Sequence, residues 1–183
     1  MYFCYGYCLY FYLTWLPTYL REARGFSTFG TNAVHTVILL AAAGASIFGG
    51  RLTDYLTSRY GLRVGRSIGV VAMPISALAL SVAALTNSAE LAAVAMTVAA
   101  GAGDLCLSPS WSMCHDIGGD AAGTVTAIMN TFGNLGGALS PLVVGYALDW
   151  WGSWSIPLLI AAGVAVLGGA FTLLIDTRRP EPT

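Results

Sequence analysis

Lysine is absent from this 183-residue chain, and only 9% of its residues are charged. Soluble domains carry about 25% charged residues, so this chain cannot cover a water-facing surface. With 56% hydrophobic residues it depends on lipid. The eight basic residues are all arginine and the net charge is -1, which excludes the basic stripe that nucleic acid requires. Cysteine offers no Cys-x-x-Cys pair: Cys4, Cys8, Cys106 and Cys114 lie in or beside apolar runs. Cys4 and Cys8 would share a helix face, which could suit a metal, but they read as small packing residues. No metal, cofactor or catalytic group is expected. The opening apolar run does not read as a signal peptide, since no basic leader or small-residue cleavage site accompanies it. That opening suggests a further portion upstream of Met1.

What remains is long apolar runs. A membrane helix takes about 20 mostly apolar residues, and the charges cut the chain into pieces of that size. The expectation is an all-α membrane protein with six transmembrane helices near residues 1–20, 33–50, 67–85, 91–113, 122–148 and 154–175. They would form one bundle over residues 1–176, with a cytoplasmic tail at 177–183. With both termini inside, Arg51, Arg59, Arg63, Arg66, Arg178 and Arg179 fall on the cytoplasmic side, and only Arg21 and Arg24 fall outside. That bias follows the positive-inside rule. The third and sixth spans are apolar nearly all round and are expected to face lipid on most sides. The other four carry polar stripes, in a pattern that hints at a three-plus-three repeat.

The polar stripes supply the candidate site. On the fifth span Gly123, Ala127, Asn130, Asn134, Gly137, Pro141 and Gly145 recur at helical spacing. Amides inside a membrane need partners; they suit a polar substrate, or serve as interhelical glue beside glycine. On the fourth span Asp104, Ser108, Trp111 and His115 share a face. An intramembrane carboxylate is a functional candidate by default, and Ser108-Pro109 would loosen the helix there. The first span presents Tyr5, Cys8, Tyr12, Trp15 and Tyr19 in one stripe. Trp15 and Tyr19 read as interfacial anchors, whereas Tyr5 and Tyr12 lie deeper, where a phenol needs a partner. Gly50, Asp54, Arg59, Arg63 and Arg66 form a cluster at the inner end of the second span, suited to gating through bonds to helix ends or to setting orientation.

The arginine-rich loop resembles the signature of the major facilitator superfamily. The opening YFCYGYCLYFYLTWLPTYL and the stretch CHDIGGDAAGTVTAIMNTFGNLGGALSPLVVGYALDWWGSW resemble the seventh span and the tenth-to-eleventh-span region of its anion:cation symporter family. The resemblance spans the whole chain but only the C-terminal six-helix half of that family. It implies alternating-access transport of a small organic anion of the sugar-acid type, with proton symport, in the cell inner (plasma) membrane. It also implies a partner, the missing N-terminal six-helix half. Asn130 matches the family's substrate-facing asparagine, with Ser108 and Tyr5 as looser matches; Tyr12, Asn134 and Trp111 complete the expected binding set. Two other readings stand beside it. A channel or scaffold would favour charge rings, which are not found. An intramembrane serine protease would use Ser46 in Gly44–Gly49, but a nucleophile needs a base in reach, and His35 and His115 are poorly placed.

Overall fold

The computed structural model describes residues 1–175, and these are almost entirely helical. The opening aromatic run is helical as α1 (Tyr2–Thr14), breaks at Trp15, and continues as α2 (Leu16–Thr18) and a π-helical turn, Tyr19–Ala23. Ser27 caps the next helix by accepting from Gly30 N–H at 3.1 Å. That helix, α3 (Thr28–Tyr60), runs well past the apolar stretch into the arginine-rich segment. It ends at Gly61, whose φ of +91° a side-chain-bearing residue would resist. A short α4 (Leu62–Gly65) leads to α5 (Ile68–Leu85), then α6 (Ala89–Asp104) and α7 (Leu107–Gly118). Gly119, at φ +48°, opens a single 3₁₀ turn from which the chain reverses into α8 (Ala122–Trp151), and α9 (Ser155–Leu173) closes the described part. The expected tail at 177–183, with Arg178 and Arg179, lies outside the described residues.

Among the described residues, four segments are long and apolar enough to cross a bilayer: Thr28–Tyr60, Leu62–Leu85, Ala89–Trp151 and Ser155–Leu173. The expected fourth span (91–113) is two helices, α6 and α7, broken at Leu105-Cys106.

The helices pack as α1 against α8 and α9, α5 against α9 and α6, and α3 against α6 and α7. Lipid offers no hydrophobic drive for helix pairing, so close contact rests on small residues. Gly6, Gly133 and Gly136 bring α1 and α8 together backbone to backbone; a Cβ at Gly6 would strike the Gly133 carbonyl, and one at Gly136 the Phe3 carbonyl. On α5, Ala72, Ala77, Ala79 and Ala83 are buried, as are Ala161, Ala162 and Ala165 on α9. These alanines mark one side of each helix, while Val71, Leu78 and Leu85 on α5 and Val166, Phe171 and Leu173 on α9 are exposed on the others. Their most apolar stretches are 50% and 44% buried, against 17% for α3. An all-round apolar surface does not say which side carries the alanines that let a neighbour approach.

Tyr19 also departs from its expected place as an interfacial anchor, because it is fully buried. Its hydroxyl donates to the Ala83 carbonyl at 3.0 Å and accepts from Arg24 Nε at 2.8 Å. Arg24 further donates to the Thr86 carbonyl at 2.6 Å and to that of Ala83, and Ser155 Oγ donates to Ala84 at 2.7 Å. The last carbonyls of α5, which no helical N–H can reach, are thus held by a cation placed at the negative helix end. Arg24→Gln is expected to lower stability by about 2 kcal/mol, the scale of a charged hydrogen-bond set. Lysine at this position should recover little, since it lacks the fork. Thermal unfolding followed by tryptophan fluorescence measures both; a fully stable R24K protein would contradict the fork's role.

Candidate functional site

The helix break between α6 and α7 organises the site. Leu105 N–H bonds back to Gly101 at 3.1 Å and Cys106 N–H to Gly103 at 3.1 Å, tightening the last turn just beyond Asp104. Pro109 has no N–H to offer the Leu105 carbonyl, and Gly49 of α3 lies so close to that carbonyl that a Cβ there would collide. Ser108 Oγ donates to the Ser46 carbonyl at 3.0 Å, and Gly50 gives the serine room. Ser108 therefore ties α7 to α3, and its donor is committed. Ser46, the protease candidate, contributes only its backbone to this contact.

Asp104 and Tyr5, singled out from separate helices, meet: Tyr5 Oη donates to Asp104 Oδ1 at 2.8 Å. The Tyr2 ring lies 5.3 Å from that of Tyr5 and 6.4 Å from that of Trp111, and Trp111 Nε1 donates to Tyr2 Oη at 3.1 Å. Two hydrogen bonds joined by the Tyr2–Tyr5 ring contact thus connect exposed Trp111 to the carboxylate. Tyr12 is buried beside it, lining a cavity with Tyr5 and Asp104 that has room for about 20 Å³, enough for one water molecule but not for an organic acid.

The amides sit apart from this cavity. Tyr10 Oη donates to Asn134 Oδ1 at 3.1 Å, and Asn134 Nδ2 donates to the Asn130 carbonyl at 2.9 Å. Asn130 is exposed, and among the described residues its amide makes no hydrogen bond. The α8 face that packs is Gly133, Gly136, Gly137, Ser140, Val144 and Ala147, so the two asparagines flank the seam with α1 instead of lying in it. Tyr2 and Tyr10 cover Gly133 and Gly137, which carries both tyrosines to the same open side as the amides.

In the arginine-rich segment at the end of α3, Gly50 is partly buried while Asp54, Arg59 and Arg63 are exposed. Arg66 is the member of that cluster which is paired: its Nε and Nη2 both reach Asp116 Oδ2 at 2.8 Å. Asp116 on α7, Tyr2, Tyr10 and the Gly133/Gly136 seam were not selected from sequence. The Gly-x-x-Gly spacing was the available signal for the seam. The Arg66–Asp116 pair, 50 residues apart, has no local signature. Cys8 Sγ donates to the Ala161 carbonyl at 3.6 Å and Cys4 abuts Gly168; both act as packing residues.

An apolar bundle of helices long enough to cross a bilayer, with hydroxyls and amides exposed beside the α1–α8 seam, defines a multi-pass membrane protein. The sequence profile of the Major Facilitator Superfamily matches residues 1–183, and the chain belongs to that superfamily. It is 33% identical over 95% of its length to a probable sulfoacetate transporter of Cupriavidus necator. It is 30% identical over 87% to a probable galactarate/D-glucarate transporter of Bacillus subtilis, and 28% identical over 93% to a D-galactonate transporter of Escherichia coli. The chain spans 41%, 36% and 40% of those relatives. These relatives are named as transporters, not as enzymes.

Proposed function

We propose that this chain forms one six-helix half of a secondary carrier for a small organic anion, working by alternating access in the cell inner membrane with both termini cytoplasmic. Six crossings follow if Ala89–Trp151 is counted twice. At 63 residues it would reach about 95 Å as one straight helix, three times the hydrocarbon core, and α8 packs back against α7. The aromatic run Tyr2–Ala23 adds the remaining crossing, and residues 1–176 then make one bundle. The observation that carries the reading is the open side of α1, α7 and α8, where Asn130, Asn134, Tyr2, Tyr10 and Trp111 converge. Relatives named for sulfoacetate, glucarate and galactonate point to an anion bearing hydroxyls or a second acidic group.

In this reading Asn130 binds substrate directly, with its amide still uncommitted. Trp111 and Asn134 shape the site, and Ser108 offers only its lone pairs. Tyr5 and Tyr12 stand behind them around Asp104, while the Arg66–Asp116 pair, with Asp54, Arg59 and Arg63 nearby, latches the inner face. The charge that holds the substrate's carboxylate comes from a second six-helix half, and the substrate lies between the two, near the midplane. Proton symport belongs to this same proposal.

Counterflow of labelled sugar acids and sulfonates in proteoliposomes tests the reading. The full-length protein with Asn130→Ala is expected to lose about 10-fold or more in apparent affinity, the scale of an amide hydrogen bond to an ionised group. Unchanged affinity for every transported acid would remove Asn130 from the site.

A further inference from the structure

We infer that the cavity bounded by Asp104, Tyr5 and Tyr12 is a binding site for a monovalent cation, a proton or Na⁺, within this half of the protein. Three observations converge on it. Asp104 is the last residue of α6, so its carboxylate sits at the negative end of a helix, next to carbonyls left by the break at Leu105-Cys106. No arginine or histidine lines the cavity, and the ion pair present among the described residues uses Asp116 instead. Tyr12 lines the same cavity, is only 5% exposed, and has a hydroxyl without a partner.

A buried hydroxyl without a partner costs about 1–3 kcal/mol, and a carboxylate inside a membrane bundle without a counter-charge costs more. A cation between them relieves both. The cavity's 20 Å³ admits a proton with one water, or a dehydrated Na⁺, and nothing larger.

The titratable groups facing Asp104 are Tyr5, Cys8 and Tyr12 on α1, Tyr2 stacked on Tyr5, and Cys106 just past the break. From α3 and α5 the cavity receives Ile38, Leu39, Ala42, Met73 and Ser76. Ser76 is already committed, donating to the Ala99 carbonyl at 2.8 Å. Asp104 is therefore the only group in the cavity that gains or loses a formal charge easily. Proton uptake forms one O–H bond on its carboxylate, with the proton drawn from bulk water; Na⁺ binding leaves every covalent bond intact. Through Tyr5, Tyr2 and Trp111 the occupied or empty state of the site reaches the open side where substrate is proposed to bind. That coupling role rests on the transport reading, whereas the cation site does not.

The test uses the full-length protein in lipid nanodiscs and infrared difference spectroscopy of the carboxyl stretch. Arm one is a pH titration in choline chloride. Arm two is a NaCl titration at fixed pH with choline as balance. The wild-type spectrum minus that of Asp104→Asn, in which the other carboxylates cancel, is expected to give one saturable carboxyl component in one arm, which names the ion. Asp104→Asn keeps an oxygen for Tyr5, and Tyr12→Phe is expected to weaken the affinity read from that component about 10-fold, the worth of one hydrogen bond to an ionised group. No wild-type-minus-D104N component in either arm overturns the site. So does a Y12F titration identical to wild type. A cation signal without any counterflow of acids would leave the site standing and sink the transport reading; counterflow without the signal would do the reverse.

Discussion

Leucine in place of Gly136 is expected to cost more than about 3 kcal/mol and to abolish the monodisperse folded protein. The Cβ alone would overlap the Phe3 carbonyl and come within 3.2 Å of the Tyr7 amide nitrogen. Both are backbone atoms of α1, so no rotamer change can make room, and the helices must separate. Overpacking a tight contact costs 1–3 kcal/mol even where side chains can yield, and the larger values belong to a short set of such mechanisms. Gly44→Ala is the matched control. Gly44 is exposed on α3 with nothing within 4 Å of its would-be Cβ, so alanine there should shift stability by no more than about 0.5 to 1 kcal/mol, in the favourable direction. Unfolding in mixed micelles of rising SDS fraction compares the two. Equal stability of G136L and wild type would mean that α1 and α8 do not meet along this seam.

Arg66→Met is the second substitution with a large expected cost, about 3 kcal/mol. It strands the Asp116 carboxylate, which is 14% exposed beside an arginine that is 9% exposed. Breaking one side of a buried pair is far more destructive than removing both partners. The double change Arg66→Met with Asp116→Leu should therefore recover most of the loss. The same SDS series, run as a double-mutant cycle, reads the coupling directly. If the double variant is no more stable than R66M, the two side chains are not acting on one another. Because Arg66 follows α4 and Asp116 lies on α7, the pair ties the arginine-rich connection to the C-terminal end of the helix that carries Ser108 and Trp111. On the proposed transport reading, its loss is also expected to alter transport rate more than substrate affinity.

Much of this protein was legible from composition and spacing. Nine per cent charge and apolar runs of membrane length dictate a lipid-embedded helical chain, because unsatisfied backbone is excluded from hydrocarbon. The same reading selected Tyr5 because a phenol inside lipid needs a partner and Asp104 because an intramembrane carboxylate is a functional candidate, and the two turn out to be partners of each other. Superfamily membership was legible in the resemblance of the arginine-rich loop and of the stretch around Asn130.

Other features were beyond the reach of periodicity. Asn130 and Asn134 share a helical face with Gly137, yet the packed face is turned toward Gly133, Gly136 and Ser140, which leaves the amides at its edge. Tyr19 reads as an anchor by position, but Arg24 and the end of α5 draw it into the core. Arg66 finds the Asp116 side chain rather than a helix end. In water, hydrophobicity separates inside from outside, and a helix announces its buried face. In lipid both faces are apolar, and the buried side is chosen by where small residues let another backbone approach. The sequence by itself therefore determined the solvent, the helices and the family, which depend on local composition. Only the tertiary structure decided which faces meet, which hydroxyls and charges find partners, and which are left open to a ligand, because those outcomes depend on neighbours distant in the chain.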